Sequence, residues 1–330
     1  MLKIDLKKRW GCRFYAESIA QNPNKKGLNL IGFFSRLYQK VIVSIDIDVQ
    51  VCKVKIIYNK NSTDNEEKTF KTINGDLPIE AAKYIRHIQN RFPFTYIATM
   101  SRVKNQGLIN GNKLKRFEDF GLKSSALTIM LINRKWFVYI NKDEMARFKG
   151  KFSKVRGADF IFSPFCLVYE KIKSRLDTEK KLYILQEKGA CTLLIADIEG
   201  VYFGNYIVFE QNFLEVESAE STNEVTFEAI EEMNENIIIK DFERGDDSDR
   251  LGDINVANMM INIIKETLNN FYKDERYASD FIDELLILDA CGISDYSITH
   301  LMNNMMMETQ FLRINVCDEI EKMVKMELKI

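Results

Sequence analysis

Few side chains in this 330-residue sequence have the type and spacing that catalysis or metal binding requires. Six cysteines, Cys12, Cys52, Cys166, Cys191, Cys291 and Cys317, form no CxxC pair, and several stand inside apolar runs. That pattern predicts reduced, buried thiols and neither disulfides nor a zinc site. His87 and His300, the two histidines, have no partner of complementary type close in sequence, so surface positions are expected for both. The acidic run DFERGDDSDRLGD (241–253) places Asp247, Asp249 and Gly252 with part of a calcium-loop spacing. Leu251 takes a ligand position there and no Glu closes the loop, so a solvated turn is expected and no metal. Lys113, Lys115 and Arg116 beside Phe117 and Phe120 have the composition of a nucleic-acid patch, but no binding module frames them and no nucleic acid is expected. What remains are carboxylates beside apolar strands: Asp46 and Asp48 with Lys53 close by, and Asp197 with Glu199 and Gly200.

These groups must be held by the elements around them. Residues 41–58 alternate Val41, Val43, Ile45, Ile47, Val49 and Val51 with polar Ser44, Asp46, Asp48 and Gln50, the period of a half-buried strand. The phase flips near Val51 to Lys53, which a turn or bulge between two paired strands produces. A short strand is expected over 70–73. A helix opened by Pro78 follows, with Ala81, Ala82, Ile85 and Ile88 as its buried stripe and His87 outside. Strands are read at 94–100, 126–132 and 136–140, with a basic loop or helix before the second, and a helix at 143–152. From Lys181 the chain reads as two or three strands. Ala257, Ile261, Ile264, Leu268 and Phe271 then recur at helical spacing within 253–277. A buried strand over 281–289 leads to Gly292, followed by a Met-rich helix at 294–307 with Ile298, Leu301, Met302 and Met305 at core spacing, then a last strand and helix.

Composition is that of an ordinary globular chain, 46% apolar and 29% charged, long enough for about two lobes. No apolar run approaches the roughly 20 residues of a membrane span, and no secretory signal is read at residues 1–10. Charge is laid out unevenly. Residues 1–40 carry nine basic residues against Asp5 and Glu17, a net of +7, which leaves −8 for the remainder of a chain whose net charge is −1. Lys7, Lys8, Arg9, Lys25 and Lys26 are therefore candidates for contact with an anionic membrane face or a partner, the alternative being an extension packed on the body. Residues 210–253 hold fifteen acidic residues against Lys240, Arg244 and Arg250, with strand-like material at 225–227 and 237–239.

The Ile45-Asp46-Ile47 strand, with Lys53 on a second strand, resembles the first phosphate loop of the actin-like superfamily, most closely its pilus-assembly branch: the PilM proteins and the cytoplasmic domain of type II secretion L proteins. Asp197 with Gly200 resembles the second phosphate loop, and Gly292 the adenine-side turn; the landmarks are 151 and 95 residues apart. The resemblance implies an α/β protein with a two-lobed actin-like (ribonuclease H-like) fold, mixed sheets and inserted small subdomains. Its expected parts are a basic extension over 1–40, a first lobe with an inserted subdomain over 41–155, and a second lobe over 156–330 with an acidic subdomain over 210–277.

In the family the two Asp residues sit near Mg²⁺ and the attacking water, while backbone N–H groups hold the phosphates. Here Asp48 and Glu199 put carboxylates where phosphate oxygens would sit, and Val49 and Val51 replace small or hydroxyl residues. Two added charges near polyphosphate cost several kcal/mol, since one pair at ~4 Å is worth about 4 kcal/mol at an effective dielectric of ~20. The expectation is thus a scaffold without cofactor or catalytic residue, serving at the inner face of the cytoplasmic membrane. It would belong to a pilus, type II secretion, DNA-uptake or flagellar machine. Its partner would be the cytosolic N-terminal segment of an inner-membrane protein, held between the first lobe and the inserted subdomain, and the chain itself would form a homo-oligomer or ring. A Mg-ATP-binding ATPase using Asp46, Asp197 and Lys53, and an unrelated α/β protein-binding module, stay open as alternatives.

Overall fold

The computed structural model describes residues 13–15, 39–58, 65–73, 75–209, 247–277 and 279–330. Lys7, Lys8, Arg9, Lys25 and Lys26, and the strand-like stretches at 225–227 and 237–239, lie outside the described residues. The chain opens with β1 (Arg13–Tyr15), then β2 (Val41–Ile47), β3 (Val51–Tyr58), β4 (Glu66–Lys71), α1 (Ile79–Arg91) and β5 (Thr95–Met100). An inserted unit follows: β6 (Gln106–Asn110), α2 (Arg116–Asp119), β7 (Leu127–Ile132), β8 (Trp136–Asn141) and α3 (Lys142–Gly150). Then come β9 (Phe160–Phe162), α4 (Pro164–Ile172), β10 (Lys181–Gln186), β11 (Ala190–Ala196), β12 (Val201–Val208) and α5 (Asp247–Lys273). The last elements are β13 (Glu284–Asp289), α6 (Asp295–Asn304), β14 (Glu308–Arg313) and α7 (Val316–Leu328).

Two sheets repeat one plan. The first contains β4-β3-β2-β5-β9, and the second runs β12-β11-β10-β13-β14. Counted from β2 and from β10, both read third, second, first, fourth, fifth. In each the first three strands are antiparallel, and the fourth and fifth run parallel to the first. This duplicated mixed sheet is the two-lobed actin-like arrangement. β1 extends the first sheet antiparallel to β9, and the insert is a small antiparallel sheet, β6-β8-β7.

The elements follow from the sequence with instructive exceptions. β2 is central between β3 and β5 and α7 packs on it, so Ser44 and Asp46 are buried along with the valines and isoleucines. Alternation alone implied that one face of this strand was open. α1 buries Ala81, Ala82, Ile85 and Ile88 with His87 exposed, and Ala257, Ile261, Ile264 and Phe271 line the buried side of α5, the long connection from β12 to β13. α5 begins earlier than its periodicity suggests, at Asp247. β6 falls inside the stretch read as a basic loop or helix: Leu108 and Ile109 are buried, but the run is short and glycine-bounded. In α6, Leu301 is buried while Met302, expected in the core, is 46% exposed. The first lobe reaches Phe162 and does not stop at 155, because β9 pairs in parallel with β5.

The two lobes exchange helices. α4 leaves the first sheet and packs against β11 and β10, while α7 leaves the second sheet and packs on β2, β5 and β3. Cys317 of α7 lies 3.7 Å from the carbonyls of Ser44 and Lys53. Lys171 of α4 donates to Glu319 of α7 at 2.7 Å, joining the exchanged helices to each other. Burial of Val316, Ile320, Met323 and Val324 makes the α7 contact mainly hydrophobic, up to about 1.5–3 kcal/mol for each side chain.

Candidate functional site: an interlobe clasp

The junction between the lobes is built from hairpin ends. The turn after β2 is closed by Asp48 N–H donating to the Val51 carbonyl at 2.8 Å, and the turn after β10 by Glu187 N–H donating to Ala190 at 3.0 Å. These two turns face each other. The Asp48 carboxylate reaches across the lobes and accepts from Lys188 N–H and Gly189 N–H, each at 3.1 Å, and from Val49 N–H in its own turn at 2.8 Å. Consecutive backbone N–H groups on a tight turn form an anion-binding concavity, and here an internal carboxylate fills it. Glycine is required at 189: a Cβ there would stand 2.2 Å from Val49 Cγ2.

Arg102, two residues past β5, completes the junction. Its Nη2 donates to Asp46 Oδ1 at 2.7 Å and to Glu187 Oε1, and its Nη1 donates to the Ile47 carbonyl and lies 4.0 Å from Asp48 Oδ1. One guanidinium thus serves three carboxylates drawn from both lobes. Burial pushes the Asp46 carboxyl up despite Arg102, and pushes Glu187 up to about 7, with Asp46 and Asp48 adding to the rise. Burial alone would lower the Arg102 pKa, but Glu187, Asp46 and Asp48 together raise it. Glu187 Oε2 and the Tyr206 hydroxyl are buried beside this cluster with no hydrogen-bond partner among the described residues.

The positions expected to form a nucleotide cleft divide into two groups. Asp46, Asp48 and Lys53 belong to the junction, with Lys53 opposite Asp46 in the β2–β3 register. Gly292 belongs at the same end of the second sheet as Glu187, because Gln186 pairs with Asp289 and Ala290 N–H donates to Gln186. Its φ of +80° suits glycine, and the buried Asp289 carboxylate fastens the turn by accepting from Cys291, Gly292 and Ile293 N–H at 2.8–3.0 Å.

Asp197, Glu199 and Gly200 sit elsewhere. They form the β11–β12 turn, separated from Gly189 by the whole of β11, roughly 20 Å of strand. There Asp197 accepts from Glu199 N–H, Gly200 N–H and the Tyr202 hydroxyl, and Lys135 of the insert donates to the Glu199 carbonyl at 2.7 Å. The turn equivalent by topology to the β2–β3 turn is Glu187 to Gly189. An Asp–x–x–Gly pattern drew attention to the wrong hairpin end, whereas the duplicated strand order identifies the right one.

The insert closes the second lobe from the side. Leu108 of β6 fills the space a Cβ on Gly204 of β12 would need, its Cδ2 being 2.2 Å from that position. Phe120 packs on Tyr277 with ring centroids 5.9 Å apart, and Arg276 donates to the Asp119 carbonyl at 3.0 Å. Phe117 is fully buried, so the aromatics beside Lys113, Lys115 and Arg116 are packing residues.

Next to the clasp lies a cavity of about 200 Å³ touching Asp48, Arg102, Phe148, Gly189 and Tyr206. Sites for drug-sized ligands run to roughly 300–1,000 Å³. Among the described residues no group of three His, Cys, Asp or Glu side chains could hold a metal ion. The five described cysteines are free thiols, four of them buried. No helix among the described residues is long and apolar enough to cross a membrane.

The duplicated sheets, exchanged helices and interlobe junction define an α/β protein of actin-like fold. Two family models match, each described as a domain of unknown function: DUF8569 over residues 38–169 and DUF8341 over residues 182–329. No curated protein matches the chain. Similar solved structures include a Bacteroides thetaiotaomicron protein with actin-like ATPase fold and unknown function, 13% identical with a TM-score of 0.42, covering 84% of this chain and 92% of that one. The PilM-PilN type IV pilus biogenesis complex is 11% identical with a TM-score of 0.49 over 85% and 89% of the two chains. MreB 5 of Spiroplasma citri bound to AMPPNP is 11% identical with a TM-score of 0.46 over 88% and 97%. The fold assignment rests on the strand order within this chain.

Proposed function

We propose that this chain is a nucleotide-independent scaffold that holds a segment of another protein, as a PilM-like adaptor at the inner face of a membrane-spanning machine. The filled junction carries the reading. Asp48 takes the N–H groups of Lys188 and Gly189, and Arg102 is committed to Asp46, Glu187 and the Ile47 carbonyl. A polyphosphate would have to displace Asp48 and sit among three carboxylates. A micromolar nucleotide site has only about 8 kcal/mol in all, and each uncompensated charge pair removes several of them. The edge of the first sheet supports a protein-holding role, since the chain's own Arg13–Tyr15 lies there as an extended segment against β9, next to β7 of the insert.

Titration calorimetry with Mg-ATP and Mg-ADP, paired with capture of partners from detergent-solubilised membranes with and without ATP, tests the proposal. The expected result is no nucleotide binding at millimolar concentration and capture indifferent to ATP. A dissociation constant near 10 µM or tighter, within reach of a genuine nucleotide site, would overturn it.

A further inference from the structure

The body carries a cationic surface on α1. On α1 the residues Ile79, Lys83 and Arg86 follow one another at i, i+4 and i+7, so they share the helix face opposite the buried Ala81, Ala82, Ile85 and Ile88. Arg91 is exposed in the last turn of the same helix. A short 3-10 turn, Ser153–Val155, packs alongside: Gln89 donates to the Val155 carbonyl at 2.9 Å, Arg86 to the Lys154 carbonyl, and Arg156 to Asn90 at 3.3 Å. Lys83, Arg86, Lys154 and Arg156 are all exposed on this face. Among the described acids nearby, Asp76 is paired with Lys151 at 3.0 Å, Glu66 accepts from the Tyr84 hydroxyl at 2.7 Å, and Glu80 stands in the first turn of α1.

Two large aliphatic side chains stand at the rim of this face. Ile73, in the loop leading to α1, is 81% exposed and Ile79 is 55% exposed. Phe281 is comparably exposed at 75%, but Asp280 and Asp283 flank it, and Lys180 lies 3.9 Å from Asp280. Basic residues around exposed aliphatics match a bilayer, whose anionic headgroups attract the former while its acyl boundary accepts the latter. A phosphodiester backbone or an acidic peptide would satisfy the charges and leave the isoleucines in water.

We infer that the α1 face, with Lys83, Arg86, Lys154 and Arg156 beside Ile79 and the Ile73 loop, docks on an anionic phospholipid bilayer. The surface shares no residue with the clasp, although Gly75 and Lys151 beside it line the neighbouring cavity, and its occupancy does not depend on nucleotide.

Co-sedimentation of the full chain with phosphatidylcholine vesicles, made with and without phosphatidylglycerol, tests this. The wild-type chain is expected to sediment only with the anionic vesicles. The variant K83E/K154E/R156E is expected to lose roughly 100-fold in partitioning, at about fivefold for each basic residue near the surface. I73S/I79S keeps the electrostatic attraction at low salt and loses the binding that survives at high salt. Neutralising Lys7, Lys8, Arg9, Lys25 and Lys26 leaves a binding component that K83E/K154E/R156E removes. The inference fails if neutral vesicles bind equally well, or if K83E/K154E/R156E with a wild-type melting temperature binds undiminished. It also fails if neutralising residues 7–26 alone abolishes binding, or if the chain is retained on DNA and not on vesicles.

Discussion

Replacing Arg102 by methionine keeps the side chain's length and removes the one cation among Asp46, Asp48 and Glu187. Removing one partner of a buried ion pair costs about 3–5 kcal/mol, because it strands the charge left behind. Asp46 and Glu187 are 9% and 2% exposed, so water offers little relief. Protonation offers more, and it makes the loss depend on pH. In the wild type the folded chain holds the Glu187 proton more tightly than the unfolded chain, since its pKa is raised from 4.5 to about 7. That contribution, up to about 3 kcal/mol, is fully present below the unfolded value and fades as pH climbs to the folded one. Arg102 works against this rise, so without it Glu187 and Asp46 hold their protons to higher pH. The deficit of Arg102→Met relative to wild type is therefore expected to be smallest near pH ~5.5, where Glu187 is protonated in both chains, and to approach 3–5 kcal/mol near pH ~8. Urea unfolding at the two pH values, with the melting temperature expected to fall by about 4–7 °C at the higher one, measures it. Equal deficits at both pH values, or a deficit under about 1 kcal/mol at the higher pH, would refute the buried-charge account.

Two substitutions probe the surrounding contacts. Gly204→Ala drives a methyl group into Leu108 and is expected to cost about 1–3 kcal/mol. Adding Leu108→Ala should recover part of that loss in a double-mutant cycle, and strict additivity in urea unfolding would count against a direct β6–β12 contact. Gly292→Ala meets no atom within 4 Å, so its expected cost of about 1–2 kcal/mol comes from the +80° φ alone. An unchanged melting temperature would show that the turn relaxes.

Much of the architecture could be read from residue pattern, because the strongest elements bury one face with the correct period. The β2–β3 hairpin, α1 and the core stripe of α5 are of this kind. Depth within a sheet is another matter. Ser44 and Asp46 alternate as solvent-facing residues should, yet neighbours on both sides and α7 above enclose them, and nothing local in 41–47 encodes a helix 270 residues away. The clasp was half legible for the same reason. Asp46 and Asp48 stand out as carboxylates on an apolar strand, but Arg102 and Glu187 become partners only through the parallel β2–β5 pairing and the approach of two hairpins. The signal for Glu187 was present in the strand order: it opens the hairpin turn of the second sheet as Asp48 does in the first. Spacing from Asp to Gly pointed instead to Asp197, whose turn serves the contact with Lys135.

The exchanged helices bear on how the molecule is made. Everything in the first sheet has been translated once Ile172 is in place, yet α7, which seals β2, β3 and β5, ends 156 residues later at Leu328. At about 5–20 residues per second, that leaves the nascent first lobe uncovered for roughly 8–30 s. During that interval its central strand is open to solvent or to a chaperone, and the first lobe is complete only when α7 returns to it.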